Sequence, residues 1–251
     1  MTGRANQAGF VNNKLFAGIM VSIPLMVFGW MAYDMQKSAG VVSAEGVKNY
    51  ESDSAYDGTP LIQYDFRPPQ PVYSHDLTIP QIEALRPDGQ VLENNHIPGI
   101  TIADFDVGSS YRFNDSHSWF QSQYSIWLEN LTVHFSYKAL NVYVTSSYPE
   151  GTCQYQEILD HENHHVSVHQ QIYLKYQLVL RQALEQSRAL PTFKHPIVVS
   201  SVEEGQKQLE SIISGVLNPV FKQFQDELTE AQGELDTPAN YAILQSECAN
   251  W

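Results

Sequence analysis

Cysteine is almost missing from this chain, and positive charge is scarce. Two cysteines, Cys153 and Cys248, stand among 251 residues, which leaves room for one disulfide and no more. Lys and Arg number 14 against 28 Asp and Glu, a formal net charge of -14, and no basic run occurs. A phosphate backbone needs clustered cations to displace its counterions, so nucleic acid is excluded as a partner. No internal repeat is present. Charged residues make up 17% of the chain and hydrophobic ones 43%, a balance that buries a core and excludes global disorder. The length suits one sizeable domain with an appendage, or two small domains.

Long apolar runs are also absent, with one exception. Leu15 to Tyr33 carries no charge over nineteen residues and follows Arg4 and Lys14. As a helix it spans roughly 28 Å, close to a hydrocarbon core. Pro24 is tolerated in such a segment, and Trp30 and Tyr33 stand at its far end, where interfacial aromatics belong. A retained anchor, a cleaved signal ending near Val42-Ser43-Ala44 and a buried core helix are the three readings, and the anchor is the one expected. The chain then divides into a cytoplasmic tail (1–14), a transmembrane segment (15–33), a small and polar linker (34–60) and an exported body (61–251). Outside the cytoplasm Cys153 and Cys248 are expected to pair, closing a loop of roughly 95 residues worth about 3–5 kcal/mol.

The body has an α+β pattern. Residues 61–108 are proline-rich and irregular. Residues 119–147 are dense in aromatic and β-branched side chains, alternating through Leu131, Val133, Phe135 and Tyr137 and again through Val142 and Val144. They predict two antiparallel strands turning near Lys138-Ala139-Leu140-Asn141. A helix follows from about Cys153 to Ala189, ended by Pro191 and Pro196. A second runs from about Val202 to Leu235, with Leu209, Ile213, Val216, Val220, Phe224 and Ala231 on one face and a kink at Pro219.

The first helix carries His161-Glu162-Asn163-His164-His165, an HExxH match. Residues four apart share a helix face, so two imidazoles can grip one zinc ion while Glu162 stands beside it as general base. The histidines continue an apolar stripe of Ile158, His161, His165, His169, Ile172 and Tyr176, which turns them inward. His169 lies about 12 Å along the helix from His161, too far to share the ion. Val168 replaces the glycine of HExxHxxGxxH, so the third ligand comes from elsewhere. Two helices packed antiparallel about a turn near His195 put Glu227 opposite Asn163, on the second helix's apolar face, where a carboxylate needs a partner. Asp226, Glu230, Glu234, Asp236, His195 and residues of the N-terminal half are the alternatives. Tyr241 and Tyr155 are candidate oxyanion donors.

With these residues the chain resembles the zincin superfamily of metallopeptidases, and within it a bacterial family of predicted secreted zinc-dependent proteases. The likeness rests on Val142-Tyr143-Val144, Tyr148 to Cys153 and Leu159 to Val166, and covers residues 120–190. It implies one Zn2+ per chain held by His161 and His165, Glu162 as base, a peptide or protein substrate, and the strand around Leu131 to Tyr137 binding substrate backbone. It also implies a zincin-like fold, a small antiparallel sheet followed by two long helices, to which the run 15–33 adds an inner-membrane anchor with the body in the periplasm. Two rivals remain: a periplasmic metal store using His161, His164, His165 and His169, and an inactive zincin-fold envelope assembly factor.

Overall fold

The computed structural model describes residues 7–11, 58–85, 98–249 and 251. It is an α+β molecule in which one long hairpin forms the frame. Its strands are β4 (Gly99–Ser118) and β5 (Gln123–Val144), antiparallel along their whole length. The turn is Trp119 to Ser122, with Ser122 at φ 51. The turn expected at Lys138–Asn141 is therefore a correction: those residues lie inside β5. β5 has 22 residues against 20 in β4, and two bulges absorb the difference. Lys138 is left over between the pairs Asp104↔Ala139 and Phe105↔Tyr137, and Glu129 between Arg112↔Asn130 and Phe113↔Leu128. A bulge adds one residue to the period of two, so the buried set slips from Tyr137 to Leu140 without leaving the strand.

β5 is the spine. β4 occupies one of its edges. Three short strands tile the other edge end to end: β6 (Ile197–Val199) beside Tyr124–Ile126, β2 (Leu61–Arg67) beside residues 130–136, and β3 (Pro71–Ser74) beside residues 140–143. β2 and β3 run parallel to β5 and β6 antiparallel, so the sheet is mixed rather than the small antiparallel one expected. β1 (Gln7–Val11) pairs with β4 at residues 109–113. That pairing puts part of the 1–14 tail on the same sheet as the body. That pairing and a single membrane crossing by residues 15–33, which would separate the two, are alternatives. The run itself and most of the linker lie outside the described residues; among the described residues no helix is long and apolar enough to cross a membrane.

Two helices, α2 (Cys153–Glu185) and α3 (Val202–Leu235), cover one sheet face. Thr152 and Ser201 cap them, each accepting from a backbone N–H of the first turn. Phe135 lies at the centre of the core, stacked on Tyr173 and edge-on to Phe224. Around it Leu131, Val133, Leu180, Leu209, Ile213 and Leu217 are fully buried. α3 runs on through Pro219 as one helix. Gly205 lets its first turn touch the sheet, since a Cβ there would sit 1.9 Å from Ile126 Cδ1. The opposite face is polar where β2, β5 and β4 meet: His134 bridges Asp65 and Ser110, and Asn130 donates to Gln63. At the open end of the hairpin the short helix α1 (Ile79–Glu83) packs Ile82 against Ile100.

Candidate metal centre

α2 presents His161 and His165 one turn apart, as the spacing of four requires. α3 stops at Leu235 because Thr237 and Pro238 begin another helix, α4 (Pro238–Glu247), capped by Thr237. Between the two stands Asp236, at φ -91 and ψ 42. Its Oδ1 lies 3.2 Å from His161 Nε2 and 3.2 Å from His165 Nε2, and the two nitrogens are 3.2 Å apart. A tetrahedron with edges of that length has its centre about 2.0 Å from each corner, which is the bond length of zinc to imidazole nitrogen and carboxylate oxygen. The donor set therefore fits a divalent ion of the zinc type. Among the described residues no further His, Cys, Asp or Glu joins the three.

The surrounding groups orient these ligands. His165 Nδ1 meets Gln232 Oε1 in a short hydrogen bond, while Gln232 Nε2 donates to the His165 carbonyl. An N–H on Nδ1 leaves the Nε2 lone pair facing Asp236, which is how metal-bound histidines are fixed in one tautomer. Tyr241 donates to Asp236 Oδ1 at 2.9 Å, and its ring lies 5.5 Å from that of His161. Burial alone would depress His165, but Asp236 and Glu162 outweigh it and push it up to about 9. Burial likewise opposes the Asp236 charge, yet hydrogen bonds from His161 and His165 hold its carboxyl well below the usual range.

Glu162 faces the sheet and is 3% exposed. Thr101 Oγ1 donates to its Oε2 at 2.7 Å. Its other oxygen lies against Gly99, where a Cβ would come within 2.6 Å. Burial raises this carboxyl above its ordinary value, against the pull of His165 and His161. A buried carboxylate with no Lys or Arg partner beside two histidines is costly to keep without use.

Glu227 is not at the site, which corrects the register expected for the helices. It accepts from Lys175 Nζ and Tyr176 Oη on a half-exposed surface. His165 faces Gln232 and Tyr176 faces Glu227, so α3 is displaced by about two to four helical turns from the simple hairpin pairing. The cause is the connection: after α2 the chain adds β6 to the start of β5, and only then begins α3. Asp236, an alternative on sequence grounds, stands where Glu227 was expected. Asp226 pairs with Lys222, and His195 is exposed on the connection after α2.

His164 lies on the exposed face of α2, and His169 is buried against Tyr137, whose Oη is 2.9 Å from His169 Nδ1. Tyr155 packs on His75 rather than on the site. The strand from Leu131 to Tyr137 is paired on both edges by β4 and β2 and has no backbone groups free for a substrate. Beside Glu162 it is β4 whose outer edge, residues 99–108, has no strand partner among the described residues. Gln232 and Thr101 carry no signal of their own in the sequence: one is a Gln among five on an acidic helix, the other a Thr in an irregular stretch. Cys153 and Cys248 form a disulfide that ties the end of α4 to the start of α2. Compared with family models, with curated proteins and with solved structures, the chain matches none.

Proposed function

We propose that the chain is a metal-dependent peptidase of the cell envelope, holding one divalent ion, zinc by its donor set, through His161, His165 and Asp236. The observation that carries the reading is the 3.2 Å triangle of donors beside the buried carboxylate of Glu162. When bound, such an ion supplies Lewis acidity, making water more acidic and a carbonyl more electrophilic. Glu162 takes the proton of the attacking water and returns it to the leaving amine, work suited to a carboxyl whose basicity burial has raised. Thr101 holds one oxygen of that carboxylate and leaves the other to receive the proton. Tyr241 is an orienter of Asp236, since its hydroxyl donates to the ligand oxygen. An extended peptide laid along the free edge of β4 near Thr101 would bring its backbone past Glu162. The disulfide suits an oxidising compartment, and the uncharged run 15–33 supplies the membrane attachment.

Non-catalytic metal holding is the second reading, favoured by the near-complete burial of Glu162. A four-histidine store is disfavoured, because His164 points outward and His169 is bonded to Tyr137. Elemental analysis of the purified chain, beside His161→Ala/His165→Ala and Asp236→Ala, tests the metal: about one zinc per chain is expected, lost in both variants. Hydrolysis of a mixed peptide library by wild type but not by Glu162→Gln, with zinc retained in both, is the expected catalytic result. No bound metal sinks the proposal, and hydrolysis unaffected by Glu162→Gln removes the assigned base.

A further inference from the structure

The turn of the β4–β5 hairpin holds two large aromatics in solvent: Trp119 is 85% exposed and Phe120 103%. A single exposed apolar residue needs no account, but adjacent bulky ones at a projecting tip do. His117 packs against Trp119 and Tyr124 and gives the tip an aromatic base. Residues 116–128 include no Asp, Glu, Lys or Arg, in a chain with 28 acidic residues. Exposed Val198, on the strand beside Tyr124, and exposed Phe193, edge-on to Trp127, widen this apolar end. Lys194 follows Phe193 in the same connection.

The chain enters the fold at this end as well. Phe193 N–H donates to the carbonyl of Gly58. Val11, the last residue of β1, lies opposite Ser109. Of the two ends of the segment that contains the uncharged run 15–33, the one at Gly58 joins the fold beside the turn half of the hairpin, whereas Val11 sits at the middle of β4.

We propose that this end of the molecule rests on a lipid bilayer, with Trp119 and Phe120 seated among headgroups and upper acyl chains. Tryptophan favours that boundary because its ring is apolar and its N–H wants a partner. A chain of this acidity is repelled by an anionic surface, and the uncharged tip is the part that approaches without that cost. Were the run 15–33 inserted in the same bilayer, the chain returning at Gly58 would keep the tip within reach of it, and a modest apolar contact would suffice. From Ser118 to Thr101 the hairpin measures about 55 Å, and Thr101 touches Glu162. A docked molecule presents the metal centre that far from the membrane. The docking inference itself does not depend on the site being catalytic.

The test uses the full chain in vesicles of phosphatidylethanolamine and phosphatidylglycerol, with plain or brominated acyl chains. Trp30→Phe removes the tryptophan of the apolar run and leaves Trp119, Trp127 and Trp251. Bromination is expected to remove roughly a third of the remaining emission, the share of one ring at the interface. Adding the conservative Trp119→Phe should abolish that loss. Emission indifferent to bromination, in protein that floats with the vesicles, overturns the proposal, as does failure to float. Emission that shifts with protein concentration but not with bromination assigns the tip to a second copy of the chain and overturns it too.

Discussion

Gly99 is the residue on which the assigned base depends most directly. A Cβ there collides with Glu162 Oε1 and with Ile158, both parts of a well-packed helix. Gly99→Ala is expected to keep bound zinc, because no ligand touches residue 99, and to lower hydrolysis by one to three orders of magnitude through a displaced carboxylate. Metal content and turnover measured on one preparation check this. His169 governs a different property. Burial, and next to it His165, push it down to about 3 from an ordinary 6.5. Below pH 6.5 the unfolded chain takes up a proton that the folded chain refuses, so stability falls with pH from 6.5 towards 3. The loss at pH 5 comes to about 2 kcal/mol. His169→Gln keeps a partner for Tyr137 and should flatten this slope in denaturant titrations at pH 7 and pH 5. An unchanged slope would assign the acid sensitivity to other groups. At this scale the spacing of four made the shared face of His161 and His165 readable, and the two imidazoles do stand together beside Asp236. Asp236 was open because a third ligand on another helix depends on register, which no local pattern encodes.

Among the elements, α4 is the part that closes the site. It carries Tyr241, follows Asp236 directly, and is tied back by Cys153–Cys248 and by Gln154 donating to the Ala249 carbonyl. Cys153→Ser/Cys248→Ser is expected to cost up to about 4–5 kcal/mol of stability by chain entropy. It should also weaken zinc binding by about tenfold or more, since Asp236 loses its orienter. Competition against a chromogenic chelator reads the second effect independently of unfolding. Equal affinity with and without the bond would mean that α4 stays docked by its own contacts. Helix positions were legible from apolar periodicity and flanking prolines, though α2 ends at Glu185 rather than Ala189, whereas the hairpin was misplaced. Its true turn contains Trp119 and Phe120, residues that ordinarily mark strands, while the bulge at Lys138 imitates a turn by breaking the alternation. Proline-rich residues 61–74 yielded β2 and β3, which prolines allow on an edge.

For the whole molecule the question is on which side of a membrane the first residues lie. The pairing of Gln7–Val11 with β4 requires them on the side of the body. A biotin acceptor before residue 7 and one after Trp251 should then both be modified from the same face of sealed vesicles. Protection of the first alone would mean that β1 is released and residues 15–33 cross once. Layer order was not legible either: the sequence offers strands and two helices, but the tiling of three short strands along β5 follows from β5 being long enough to receive them.

That length also sets an order of events. A hairpin closes from its turn outward, each new pair resting on the one before, and this one has two bulges to pass before Gly99 meets Val144. By that order the turn with its aromatics pairs first, and the strand ends beside Glu162 pair last. The candidate metal site therefore lies at the end of the hairpin farthest from its turn.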